Sequence, residues 1–159
     1  MTGVETHGVL GSAKRRRPLS QKPNRAATFS KFGVDIPMPF FNVQDITPFE
    51  ILPGARIRAP FGRNLMLSYL ELDAGAVVPF HRHPHEQGGI VLKGKVELTI
   101  EKEVRITEEG SMYIIPANCL HQAVAVGGPA IVLDVFSPVR EDYAERFNKY
   151  IRQPEATGS

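Results

Sequence analysis

The sequence predicts an all-β domain, a sandwich or a closed barrel of short strands, and three observations carry that expectation. Short apolar or alternating runs follow one another at even spacing from residue 64 to residue 136. The gaps between them hold turn residues, at Asp73-Ala74-Gly75, Lys93-Gly94-Lys95, Glu109-Gly110 and Gly127-Gly128-Pro129. Apolar residues at helical spacing are confined to the end of the chain. Many short strands separated by Gly/Pro turns are the pattern of β-sandwiches and barrels.

Each element has its own reason. In residues 64–72, Leu65, Leu67 and Tyr69 alternate with Met66, Ser68 and Leu70, so both faces are apolar and the strand should be covered on both sides. Residues 76–80 lead into a histidine cluster, and 89–92 leave it. After the tight turn at Gly94, Glu97 and Thr99 give residues 96–100 the polar alternation of a half-exposed strand, with 104–106 as its hairpin arm. Residues 112–115 form a strand that Pro116 ends, because proline cannot donate to a ladder. Residues 121–126 and 130–136 complete the set. Beyond them, Ser137 and Pro138 suggest a helix N-cap and first turn, and Tyr143, Phe147, Tyr150 and Ile151 fall at i, i+4, i+7 and i+8. That stripe should pack on the outside of the barrel or on a partner subunit.

At 159 residues, 42% apolar and 23% charged, the chain suits one soluble domain with its own core. The single cysteine, Cys119, excludes an internal disulfide framework and suits a reducing, cytoplasmic compartment. No apolar run reaches membrane-spanning length, and the start lacks the apolar segment of a secretory signal. The net charge of +2 divides unevenly: residues 1–33 carry +6 and the rest −4. The expected organisation is therefore a disordered basic tail over 1–33, a barrel domain with a C-terminal helix over 34–152, and a disordered end over 153–159. The Lys14-Arg15-Arg16-Arg17 run could meet an acidic surface, but no helix-turn-helix pattern accompanies it, and nucleic acid is not an expected partner. Edge strands and the apolar helical stripe suggest a homodimer.

Four of the five histidines fall in two places, at His81, His83 and His85 and at His121. On a strand, residues i and i+2 point the same way, so His81 and His83 would aim two imidazoles at one point. A third imidazole and an oxygen ligand would complete a site for one divalent ion: Zn, Ni, Fe or Mn. The oxygen could come from Gln87 or Glu86. Strand alternation groups Gln87 with Gly89 and Val91 and favours it. His85 follows Pro84, where a ladder is interrupted, and is expected at the rim of the site, near the substrate. Asp134 is a lone acid within 130–136, sharing a face with Ala130, Val132 and Phe136. A carboxylate there must be partnered or have a raised pKa, and either suits acid/base work. The competing reading is a structural ion pair with Arg140.

These residues resemble the double motif of the cupins, small jelly-roll barrels that hold a metal in the barrel mouth. In the first motif Gly75, His81, His83 and Gly94 match, and the acidic ligand position falls on Gln87. In the second, Gly110, Pro116 and His121 match, while Asn118 stands for a glycine and Ala125 for an asparagine. Gln87 is a neutral donor. Three neutral imidazoles and an amide leave the full charge of a divalent ion uncompensated, which strengthens its Lewis acidity and its attraction for an anion. Within the cupins, the stretches 83–87 and 134–143 look like the pectin-degradation subgroup, which opens the ring of 4,5-unsaturated uronates. That resemblance implies His81, His83, Gln87 and His121 as metal ligands, Asp134 as general acid/base, and Arg140 as the partner of a small anionic substrate's carboxylate. Fold likeness alone leaves two other classes open: a metal-dependent dioxygenase and a non-catalytic ligand-binding or sensing module.

Overall fold

The structure is a computed structural model that describes residue 40 and residues 42–151. The tails expected over 1–33 and 153–159 lie outside the described residues. Among the described residues, a 3-10 turn at Val43–Asp45 precedes ten strands and one helix. The strands are β1 (Phe49–Leu52), β2 (Ala55–Arg58), β3 (Met66–Leu72), β4 (Val77–His81), β5 (Glu86–Lys93), β6 (Lys95–Ile100), β7 (Glu103–Glu108), β8 (Met112–Ile115), β9 (His121–Ala125) and β10 (Ala130–Ser137), followed by α1 (Glu141–Ile151). They form two antiparallel sheets, one of six strands in the order β1-β2-β3-β10-β5-β8 and one of four in the order β4-β9-β6-β7. This is the expected all-β architecture with a C-terminal helix.

Alternation decides what faces the core. On β3, Met66, Ser68, Leu70 and Leu72 are buried, while Leu67, Tyr69 and Glu71 are half-buried on the other side. On β10, Ala130, Val132, Asp134 and Phe136 are buried in the same rhythm. With Phe49, Ile57, Val96 and Ala125 the apolar ones among these side chains make one core. The hairpin β1–β2 was not legible as strands in the sequence. Its turn at Pro53-Gly54 puts Gly54 at φ 75°, and it delivers Phe49 and Ile57, each 1% exposed, to the core.

The helix starts later than Ser137-Pro138 suggested. Ser137 is the last residue of β10, its hydroxyl donates to the Asn64 carbonyl, and α1 begins at Glu141 with Asp142 beside it in the first turn. A pair of acids there suits the positive end of the helix dipole. The described part of the stripe packs on the chain's own barrel: Phe147 is 2% exposed and meets Phe61 edge-on at 6.1 Å, while Tyr143 meets Phe49 and Phe136. None of the helices described is long and apolar enough to cross a membrane.

Candidate metal centre

Two of the three histidines face each other across neighbouring strands. His81 ends β4 and pairs in register with His121, which opens β9, and their rings lie 4.2 Å apart. His83 is not on a strand, contrary to the simple His-x-His expectation. It lies in the connection from β4 to β5, and its carbonyl accepts from the Asn118 amide at 2.8 Å. Asn118 itself has φ 65°, the left-handed region that glycine usually fills at this motif position and that asparagine tolerates next best. His121 is placed from the other side. The Leu120 amide before it donates to the Glu101 side chain at 2.6 Å, and the Leu120 carbonyl accepts from the Glu101 amide at 2.7 Å.

One ring nitrogen from each of His81, His83 and His121 lies within 4.8 Å of the others, a spacing that can hold a metal ion. In each ring Nδ1 meets a backbone carbonyl: that of Pro79 at 2.8 Å, of His85 at 3.1 Å and of Cys119 at 2.9 Å. A carbonyl only accepts, so Nδ1 carries the proton and Nε2 presents its lone pair. Burial lowers the pKa of all three, with His83 brought to about 4, also by the Arg140 charge and by His121. The rings are therefore neutral near pH 7, as ligation requires. His121 Nε2 is buried with no hydrogen-bond partner among the described residues. His83 Nε2 lies 3.2 Å from the Gln87 Oε1, two acceptors face to face. An orphaned nitrogen and opposed lone pairs fit a cation, and the residues present suit a divalent ion.

The opposite wall belongs to the six-stranded sheet. Gln87, 7% exposed on β5, points inward, whereas Glu86 is exposed, so alternation sorted the two as the sequence suggested. Asp134, 4% exposed on β10, accepts from Gln87 Nε2 at 2.8 Å and from the Tyr113 hydroxyl at 2.6 Å, both on Oδ1. Burial pushes its carboxyl up to about 6, and these two hydrogen bonds and the Arg140 charge oppose that rise. The proposed ion pair of Asp134 with Arg140 is not what forms. Arg140 instead binds Asp142, Nε to Oδ1 at 3.2 Å and Nη2 to Oδ2 at 2.7 Å, and stacks over Tyr143 at 3.8 Å. Arg140 is 8% exposed, and its Nη1 takes no part in the Asp142 fork. His85 is 5% exposed, deeper than a rim position implies, with Nε2 3.1 Å from Glu141.

His81, Gln87, Tyr113, His121, Asp134 and Arg140 all line one cavity between the sheets. Sequence reasoning missed Tyr113. The signal was present in Gly88-Gly89: glycine inside a strand often marks close approach of another group. A side chain on Gly89 would overlap the Tyr113 ring.

The cupin domain family matches residues 68–136. The pectin degradation protein KdgF of Dickeya dadantii is 32% identical over 104 residues, 64% of this chain and 94% of that protein. Among solved structures, KdgF from Halomonas sp. superposes with a TM-score of 0.63 at 31% identity, covering 67% of this chain and 98% of that one. An RmlC-like cupin from Shewanella frigidimarina gives 0.62 at 27% identity, covering 65% and 94%. With a relative matched over nearly its whole length and the same barrel in both solved neighbours, the chain belongs to the cupins, in their KdgF-like subgroup.

Proposed function

We propose that the chain is a metal-dependent isomerase that opens the ring of a small anionic sugar derivative, a 4,5-unsaturated uronate, by proton transfer. The observation that carries this reading is Asp134, a buried acid with its carboxyl pushed up to about 6, lining the same cavity as His81, His121 and Gln87. The pectin-degradation name of the relatives supports the substrate class.

Ring opening of such a sugar is an isomerisation. The anomeric hydroxyl loses a proton, the ring carbon–oxygen bond breaks, and the alkene carbon that does not bear the carboxylate gains a proton. A single residue that takes one proton and returns another suffices, and a pKa near the working pH suits both halves. Asp134 has that role. Arg140, held by Asp142 on one edge and by the Tyr143 ring beneath, offers its remaining N–H groups to the substrate's carboxylate. His81, His83 and His121, with Gln87 Oε1 as fourth donor, hold one divalent ion, of zinc, nickel, iron or manganese. When bound, that ion supplies Lewis acidity and an anchor for an oxygen of the substrate. His85 stands behind His83, its carbonyl accepting from His83 Nδ1, and holds that ring in place.

The test is a metal-loaded preparation mixed with a 4,5-unsaturated uronate, following the ultraviolet absorbance of the conjugated alkene. Loss of that absorbance, abolished by chelation, is expected. An unchanged spectrum with fully loaded protein would falsify the assignment.

A further inference from the structure

We propose that Tyr113 is a positioning residue of the metal centre: through Asp134, its hydroxyl decides which end of the Gln87 amide faces the three histidines. The inference rests on the metal-site reading above but not on the uronate reaction.

The geometry runs in a line across the six-stranded sheet. Tyr113 on β8 is in register with Gly89 on β5, and Gly89 is in register with Asp134 on β10. Two strand spacings, roughly 10 Å, separate the first from the last. Tyr113 spans them because Gly89 has no side chain, so the ring lies over bare backbone and its hydroxyl reaches Asp134 Oδ1 at 2.6 Å. Alanine at Gly89 would occupy the space the ring uses.

The consequence falls on Gln87. The two ends of an amide are nearly the same size, yet only the oxygen can bind a cation. Here the nitrogen donates to Asp134 Oδ1 at 2.8 Å, and the oxygen is turned toward His83 Nε2. That orientation holds only while Oδ1 stays where it is. Tyr113 pins it, since a carboxylate oxygen in apolar surroundings keeps the donors it has. Without the phenol, Asp134 loses one of its two donors and turns to seek another, and the Gln87 amide is no longer held with its oxygen inward. Partners of this kind orient the groups that touch a metal and contribute about 10- to 100-fold in affinity.

If Tyr113 did no more than satisfy a buried acid, its removal would register in folding stability and leave the metal untouched. The experiment uses the full chain with Zn²⁺ alone, its affinity measured by competition with a chromophoric chelator, and Co²⁺ as a spectroscopic probe of the ligand set. Tyr113→Phe, which keeps the ring, should bind Zn²⁺ about 10- to 100-fold more weakly and shift the visible Co²⁺ spectrum. Gly89→Ala, which displaces the ring but keeps the hydroxyl, should weaken Zn²⁺ likewise. In a Gln87→Ala background Tyr113→Phe should have almost no further effect, because residues acting through one another are not additive. Wild-type affinity in Tyr113→Phe, or an equal loss in the presence and absence of Gln87, overturns the proposal. A wild-type chain that takes up no Zn²⁺ overturns it together with the metal site. Failure of uronate turnover by a chain that binds Zn²⁺ touches only the reaction assignment.

Discussion

Asp134 and His83 show how one cavity sets opposite demands on two titrating groups. The Asp134 carboxyl, pushed up to about 6 from an ordinary 3.8, is protonated in the folded chain at pH values where the unfolded chain has released the proton. Its contribution to stability is present below 3.8 and is lost as pH rises through 6. His83 runs the other way. Its pKa is lowered from 6.5 to about 4, so stability present above 6.5 is lost as pH falls through that window. In metal-free protein, Asp134→Asn should therefore gain stability relative to the wild type between pH 4 and pH 7, whereas His83→Gln should flatten the loss on acidification. Chemical denaturation at stepped pH reads both, and a parallel pair of curves for wild type and Asp134→Asn would count against the buried-acid account. The amide still accepts from Gln87 and Tyr113, so Asp134→Asn should keep its fold and metal while turnover drops by about 10²- to 10⁴-fold. Arg140→Lys should raise KM for the uronate, since an ammonium cannot hold the Asp142 fork and present further N–H groups to a carboxylate.

At the scale of elements, the site depends on connections as much as on strands. β4 supplies His81 and then stops, and the Asn118–His83 hydrogen bond joins the two cupin motifs where no ladder runs. The helix α1 does different work. Its Phe147 fills the core against Phe61, and its first turn carries Glu141 and Asp142 to His85 and Arg140. Phe147→Ala should cost about 3–5 kcal/mol of stability, the usual range for emptying a buried aromatic site. Thermal or urea unfolding measures it. Zn²⁺ affinity at a temperature where the variant is folded should be close to wild type, because Phe147 does not touch the imidazoles.

For the whole molecule, the residues proposed to hold the metal come from both sheets. His81 and His121 belong to β4 and β9 of the smaller sheet and Gln87 to β5 of the larger. An ion held by all of them would tie the two layers together and favour the folded chain, where the ligands converge. Metal at about 1,000 times its Kd should then add about 4 kcal/mol to unfolding, and chelation should remove it. Calorimetry with and without chelator checks this, with His83→Ala as the variant whose Tm no longer responds to metal. A wild-type Tm indifferent to metal would mean that the ion does not bridge the layers.

How much of this was legible before the fold was seen follows from what each feature depends on. Period-two alternation is a local property, so β3, β6 and β10 and the inward set Ala130, Val132, Asp134 and Phe136 could be read directly. The hairpin β1–β2 was too short and too charged, with Glu50, Arg56 and Arg58, to stand out as strands. The helix start was misplaced because Ser137 finishes a ladder against Glu86 before any helix can begin. For the site, the histidine spacing and the inward face of Gln87, with Glu86 outward, followed from motif and alternation.

What the sequence by itself determined was the kind of layers, the histidine set and the face on which Asp134 lies, since these depend on residues close along the chain. Only the tertiary structure decided the partners. Tyr113 reaches Asp134 across 21 residues of chain and Gln87 reaches it across 47, while Arg140 turns to Asp142 two residues away. Such pairings are set by strand order and register, which place β8, β5 and β10 side by side, and no local pattern encodes which strands become neighbours.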